Sequence, residues 1–183
     1  MQVPCIELSP SLQTKENVRM FSKTIEAAIN EQIKHEFYSA YFYLSMAAYC
    51  ESNNLFGSKK WLKMQAEEEQ EHAMKFFGYV LDRGGKVTLQ AIPQPPAEYT
   101  SLVDVFEQVL AHEQKVTALI TRLYELAVKE NDYPTQFLLQ WFINEQVEEE
   151  QNATTIVEML RVVGSQPQGL FMLDSKLGAR AKD

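Results

Sequence analysis

Glu69 and His72 stand three residues apart in AEEEQEH (66–72), crowded by Glu67, Glu68 and Glu71, in a chain with only three histidines. On a helix that spacing points both side chains the same way, so a carboxylate and an imidazole can converge on one point. Acids at neighbouring helical positions repel one another. The cluster is therefore either a solvated surface or a place where a cation sits. A lone Glu-x-x-His pair is more often a surface pair, and a lone histidine on an apolar stripe is more often a hydrogen-bonded core residue. What other segments bring to the same place decides between them.

Three further segments carry the same anomaly. Apolar stripes at the helical period run Ile29, Ile33, Glu36, Ala40, Tyr43, Ala47, then Leu62, Gln65, Glu69, His72, Phe76, Val80. The next two run Phe106, Val109, Glu113, Val116, Ile120, Leu123, and Leu138, Phe142, Gln146, Glu149, Ala153, Ile156, Leu160. A glutamate interrupts each stripe, and no Lys or Arg does. Burying an unpaired carboxylate costs several kcal/mol, so four of them in one interior call for a metal ion. Carboxylates with one imidazole suit a redox-capable first-row ion such as iron.

The elements that must position these residues are all helical. A first helix is predicted from about Lys23 to Cys50, with Ile25 and Leu44 also on its stripe, and ESNNLFGS (51–58) is a turn. A second runs from about Lys59 to Arg83, stopped by Gly84 and Gly85. Pro93, Pro95 and Pro96 exclude a helix over 84–101. Ser101 with Asp104 caps a third, ending near Glu130, and Pro134 opens a fourth that ends near Val163. A short amphipathic tail, LFMLDSKLGARA, follows GSQPQG.

Short turns make the first and last helix pairs antiparallel. The middle connection could span roughly 50 Å if extended, more than the roughly 39 Å of a helix of about 26 residues. The chain can thus return to its starting end, leaving the second and third helices parallel. In that four-helix bundle with one long crossover, the four glutamates match in height to within about one or two turns.

Composition narrows the function. The 183 residues favour a single domain, with 45% hydrophobic and 23% charged content. A net charge of −8 argues against nucleic acid or an anionic membrane as partner and leaves cations as clients. Cys5 and Cys50 form no CxxC pair and suggest a reducing compartment. There is no signal-peptide pattern and no apolar stretch of about 20 residues, so a cytoplasmic location is expected. Residues 1–21 are weakly patterned and are expected to form an N-terminal extension to a domain over 22–183.

From about Lys23 onward the chain resembles bacterial non-haem ferritins. The segments that carry the likeness are INEQIKHEFYSAYFYL, QAEEEQEHAMKFF, AEYTSL, AHEQKVT, NDYPTQFLLQWFINEQVEEE and GLFMLDSKL. The resemblance implies an all-α, ferritin-like bundle with a short fifth helix at the C-terminus. Bacterioferritins and rubrerythrin-like proteins carry a second Glu-x-x-His on the fourth helix, but here Asn152 follows Glu149 by three. Bacterioferritins also place a haem-ligating Met after the glutamate of the first Glu-x-x-His; here it is Gln70, so no haem is expected.

The resemblance further implies an iron-storage protein with ferroxidase activity, oxidising Fe(II) with O2 or H2O2 and depositing hydrated ferric oxide in a closed 24-subunit cage. The first iron would be held by Glu36, Glu69 and His72, the second by Glu69 as a bridge with Glu113 and Glu149, Gln146 lying close by. Residues matching Glu68, Glu145, Glu148 and Glu149 form a third iron site in that family. Glu67, Glu71 and Glu150 fit a solvated face. Tyr43 is either a core aromatic or, as its counterpart in the family, an electron donor beside the irons, while Trp141 reads as packing, with a redox role as the lesser alternative. The N-terminal extension either caps the cage surface or is disordered. Two rivals share the bundle: a di-iron oxidase or peroxidase without storage, and a bundle whose metal is purely structural.

Overall fold

Three of the helices start where a neighbouring side chain satisfies one of their first free N–H groups. Ser22 accepts from Thr24 N at 3.2 Å to open α1 (Lys23–Ser52), and Ser101 accepts from Asp104 N at 3.1 Å to open α3 (Leu102–Lys129). Asp132 accepts from Thr135 N at 3.1 Å to open α4 (Tyr133–Val163). Arg83, the residue after α2 (Phe56–Asp82), grips Asp132 with both terminal nitrogens at 2.8 and 2.9 Å and ties those two ends together. Gly84 turns the chain out of α2 at a φ of +69°, a conformation that glycine adopts without strain.

The computed structural model describes residues 21–164 and 166–181. Among them there are helices and no strands, ending with a short α5 (Pro167–Gly178). α1 packs on α2 and α3, α3 on α4, and α5 on α2 and α4. The crossover lies along α1 from end to end. Asn30 donates to Lys86 O and accepts from Thr88 N near the start of α1, while Ser45 reaches Pro96 O and Tyr49 meets the Tyr99 ring at 5.4 Å near its finish. α3 therefore begins at the end where α2 began, and the two run parallel.

The expected extension lies outside the described residues up to residue 20, as does Cys5. Phe21 is buried, edge-on to the Tyr79 ring, with the Arg83 guanidinium 4.9 Å from its centroid. Cys50 is buried and free. No helix of the described residues is long and apolar enough to cross a membrane.

The apolar core forms two clusters. One gathers Met46, Leu62, Phe106 and Leu160, the other Ile29, Phe76, Ile120 and Phe142. On every helix of the bundle the glutamate of the stripe lies between the residues given to one cluster and those given to the other. Two stripe positions differ from expectation. Leu44 is 40% exposed, because Tyr43 and Ala47 already fill the inward arc of that turn. Leu139 is fully buried and Leu138 only partly, a shift of one residue, or 100° around the helix.

Candidate metal centre

Glu36 comes from the middle of α1 and Glu69 from the middle of α2, and each is 1% exposed. His72, one turn on from Glu69, is buried with them. One ligand atom from each of the three lies within 4.8 Å of the others. His72 Nδ1 stands 3.6 Å from Glu69 Oε2, and its ring meets Trp141 and Phe142 edge-on at 5.3 and 5.8 Å. α3 and α4 add Glu113 and Glu149, both buried.

Around these acids stands a shell of amides and hydroxyls. Gln32 Nε2 donates to Glu36 Oε1 at 2.9 Å, and Gln65 Nε2 donates to Glu149 Oε2 at 2.9 Å. Gln146 Nε2 donates to Glu113 Oε2 at 3.1 Å, and the Tyr43 hydroxyl donates to Glu113 Oε1. Each bond holds one carboxylate oxygen in place. Glu69 Oε2 differs: among the described residues it is the buried side-chain oxygen that no donor reaches. Leaving a buried acceptor unmade costs about 1–3 kcal/mol, and a bound cation would remove that cost.

Electrostatics point the same way. Burial pushes the Glu36 carboxyl up to about 7 and, with Glu113 beside it, the Glu149 carboxyl up to about 8. Burial also raises Glu113, and raises Glu69 well above the usual carboxylate range, the neighbouring acids adding to it. His72 is pushed down to about 4 by burial and by Lys75, so its imidazole is neutral and has a lone pair to give. Without a metal the acids hold protons that a cation can displace.

The structure brings Glu36, Glu69 and His72 together at one point and surrounds them with Glu113, Glu149, Gln146 and Tyr43. Glu145, half-buried, has Oε1 4.0 Å from His72 Nε2. Glu68 is half-buried and Glu148 exposed, on the same stretches of α2 and α4. Glu67 and Glu71 are exposed as expected. Glu150 departs from expectation: it is half-buried and accepts from Thr117 Oγ1 at 2.5 Å. Trp141 carries the Lys75 ammonium 3.1 Å from its ring centroid. A cation on that face opposes loss of an electron, which favours packing over a redox role for this indole.

Sequence reasoning assigned no role to Gln32, Gln65 or Arg180. The first two were open to discovery, since each precedes a buried glutamate by four residues and shares its helix face. Arg180 Nη2 donates to both oxygens of Glu68, at 3.0 and 2.9 Å. It projects from the chain just beyond α5, where no periodicity speaks.

This is a helical bundle with a buried, carboxylate-rich group at its waist that could hold a metal ion. The model of the Ferritin-like domain family matches residues 26–163, and the chain belongs to the ferritin family. It is 40% identical to the bacterial non-heme ferritin of Staphylococcus saprophyticus over 164 residues, covering 90% of this chain and 98% of that one. The bacterial non-heme ferritin of Staphylococcus aureus is 36% identical over the same length. Among solved structures, an open pore ferritin from the archaeon Archaeoglobus fulgidus superimposes with a TM-score of 0.88 at 46% identity, over 88% of this chain and 99% of that one.

Proposed function

We propose that this protein stores iron in the cytoplasm, oxidising Fe(II) at a di-iron site inside each subunit and depositing the product within a cage. The observation that carries this reading is the group of four buried glutamates and one buried histidine, with Glu69 Oε2 lacking a donor among the described residues. Two Fe(II) bring four positive charges, which Glu36, Glu69, Glu113 and Glu149 offset once deprotonated. Glu36 and His72 would hold one ion and Glu113 and Glu149 the other. Glu69 is assigned as the bridge, and Gln146 lies at the second position. The ferritin names of the relatives support storage and assembly.

Each Fe(II) gives one electron to the oxidant. With O2 the pair and two protons yield two Fe(III) and H2O2; with H2O2 and two protons they yield two Fe(III) and two waters. Carboxylate oxygen stabilises the harder, more charged Fe(III) and so favours its formation. Tyr43 can supply a further electron, because its hydroxyl already donates to Glu113, which can take the proton. Glu68, Glu145, Glu148 and Glu149 are assigned to a third iron. The Met position of haem-binding relatives is Gln70 here, so the site works without haem.

Aerobic loading with several hundred Fe(II) per assembled particle, then size exclusion with light scattering and iron analysis, tests this function. Iron co-eluting with a particle of 24 subunits is the expected result. Oxidation without retained iron would favour a non-storage di-iron oxidase. Bound metal that never turns over would favour a structural metal.

A further inference from the structure

Arg180 reaches back from the end of α5 to the face of α2 that carries Trp61, Gln65 and Glu68. These positions recur at intervals of four and three, so they form one stripe. The guanidinium carbon lies 5.2 Å from the Trp61 ring centroid, and Nη2 straddles both Glu68 oxygens at 3.0 and 2.9 Å. Nη1 donates to Gln65 Oε1.

Arginine has donors and no acceptor. It therefore draws the Gln65 carbonyl oxygen toward itself and leaves the amide nitrogen facing Glu149, whose Oε2 accepts at 2.9 Å. One guanidinium thus engages Glu68 directly and Glu149 through Gln65. The backbone that delivers it is anchored separately. Lys60 Nζ donates to Gly178 O at 2.8 Å and Arg180 O at 3.2 Å, and Asp174 accepts from Gly57 N and Ser58 N at 2.9 and 2.7 Å.

We propose that Arg180 is a cationic latch on the inner carboxylate cluster, and that it must release Glu68 before a third metal ion binds there. The proposal rests on the assignment of Glu68, Glu145, Glu148 and Glu149 to that ion. The latch sets an order: the sites around Glu69 fill first, and the third fills only when metal competes successfully with the guanidinium. A cavity of about 430 Å³ beside Arg180, with Asn152 and Thr155 on its wall, gives the released side chain somewhere to go.

Calorimetric titration of the assembled, metal-free protein with Zn(II), which does not change oxidation state, reads the number and affinity of sites. Anomalous diffraction from zinc-soaked crystals locates them. R180Q is expected to bind zinc at the Glu68 cluster roughly tenfold more tightly than the wild type, the competing charged hydrogen bonds having been removed. R180K, which keeps the charge, should stay near the wild type, and both variants should leave the sites at Glu36, Glu69 and His72 unchanged. The Lys60 and Asp174 contacts keep the tail docked in either variant.

Wild-type affinity at the cluster in R180Q, with normal zinc at Glu36, Glu69 and His72, would overturn the latch alone. So would a zinc-loaded wild type in which Arg180 still holds Glu68. Absence of zinc from Glu36, Glu69 and His72 would overturn the metal-centre assignment, and the latch with it.

Discussion

Glu69 Oε2 lies 3.6 Å from His72 Nδ1, buried, and no donor among the described residues reaches it. The neighbouring carboxylates each have an amide or hydroxyl on one oxygen, so this gap is specific. It makes Glu69 costly to fold and available to bind. Stability and function should therefore move in opposite directions at this position.

Glu69→Leu is expected to stabilise the metal-free protein by about 1–3 kcal/mol, since it removes a buried acceptor left unmade. The same variant should lose the fast phase of Fe(II) oxidation, and His72→Ala should lose it too. Thermal unfolding and stopped-flow absorbance read the two effects. An unchanged initial oxidation rate in both variants would remove Glu69 and His72 from the site.

Glu68→Ala and Glu148→Ala should behave differently. Both residues lie outside the buried group, one half-buried and the other exposed. The first two irons per subunit should oxidise at close to the wild-type rate in each, with altered turnover afterwards. The iron stoichiometry of the fast phase checks this, and a fast phase lost in either variant would merge the two sites.

The buried acids also fix how metal-free stability depends on pH. Glu36 and Glu149 have folded pKa values raised to about 7 and about 8, above the ordinary carboxylate range of the unfolded chain. The folded state therefore binds more protons than the unfolded state between about pH 4.5 and 8, and stability falls as pH rises through that window. His72, lowered to about 4, acts on the other side, and its contribution is lost as pH falls from about 6.5 toward 4. Melting temperature of the metal-free protein should drop by several degrees from pH 6 to 8. Saturating Zn(II) should flatten that slope, because metal replaces the protons. A metal-free profile that rises over the same range would contradict these shifts.

Asp174 should be the fastening of α5. It accepts from Gly57 N, Ser58 N and Ser58 Oγ at 2.9, 2.7 and 2.7 Å, capping α2 from another helix. Asp174→Ala is expected to cost about 1–2 kcal/mol, the usual range for a lost cap. Gly57→Ala should be worse, since its Cβ would stand 1.7 Å from the Asp174 carbonyl oxygen. Differential scanning calorimetry with limited proteolysis of the tail measures both, and an intact, protease-resistant tail in Gly57→Ala would refute the close approach.

That cap also explains where the sequence was legible and where it was not. Glu36, Glu69, Glu113 and Glu149 could be found because helical periodicity marks inward positions, and a charge among them stands out. The sequence pattern puts the start of α2 at Lys59 rather than Phe56, because the cap comes from Asp174, 117 residues away, and Leu55 at the N-cap position has no side-chain acceptor. Arg180 was hidden for the same reason, as its partner on α2 is 112 residues distant. Periodicity speaks to the face a residue occupies, whereas long-range partners depend on how the elements dock. Leu44 and Leu138 show the finer limit, for a stripe wide enough to bury one side chain also admits its neighbour.

The measurement that bears most directly on the proposed di-iron centre is anomalous diffraction at the iron edge from crystals soaked anaerobically in Fe(II). Two peaks are expected within each bundle, one among Glu36, Glu69 and His72 and one beside Glu113 and Glu149, with Glu69 between them. Iron found only on exposed acids, with the waist of the bundle empty, would contradict the assignment.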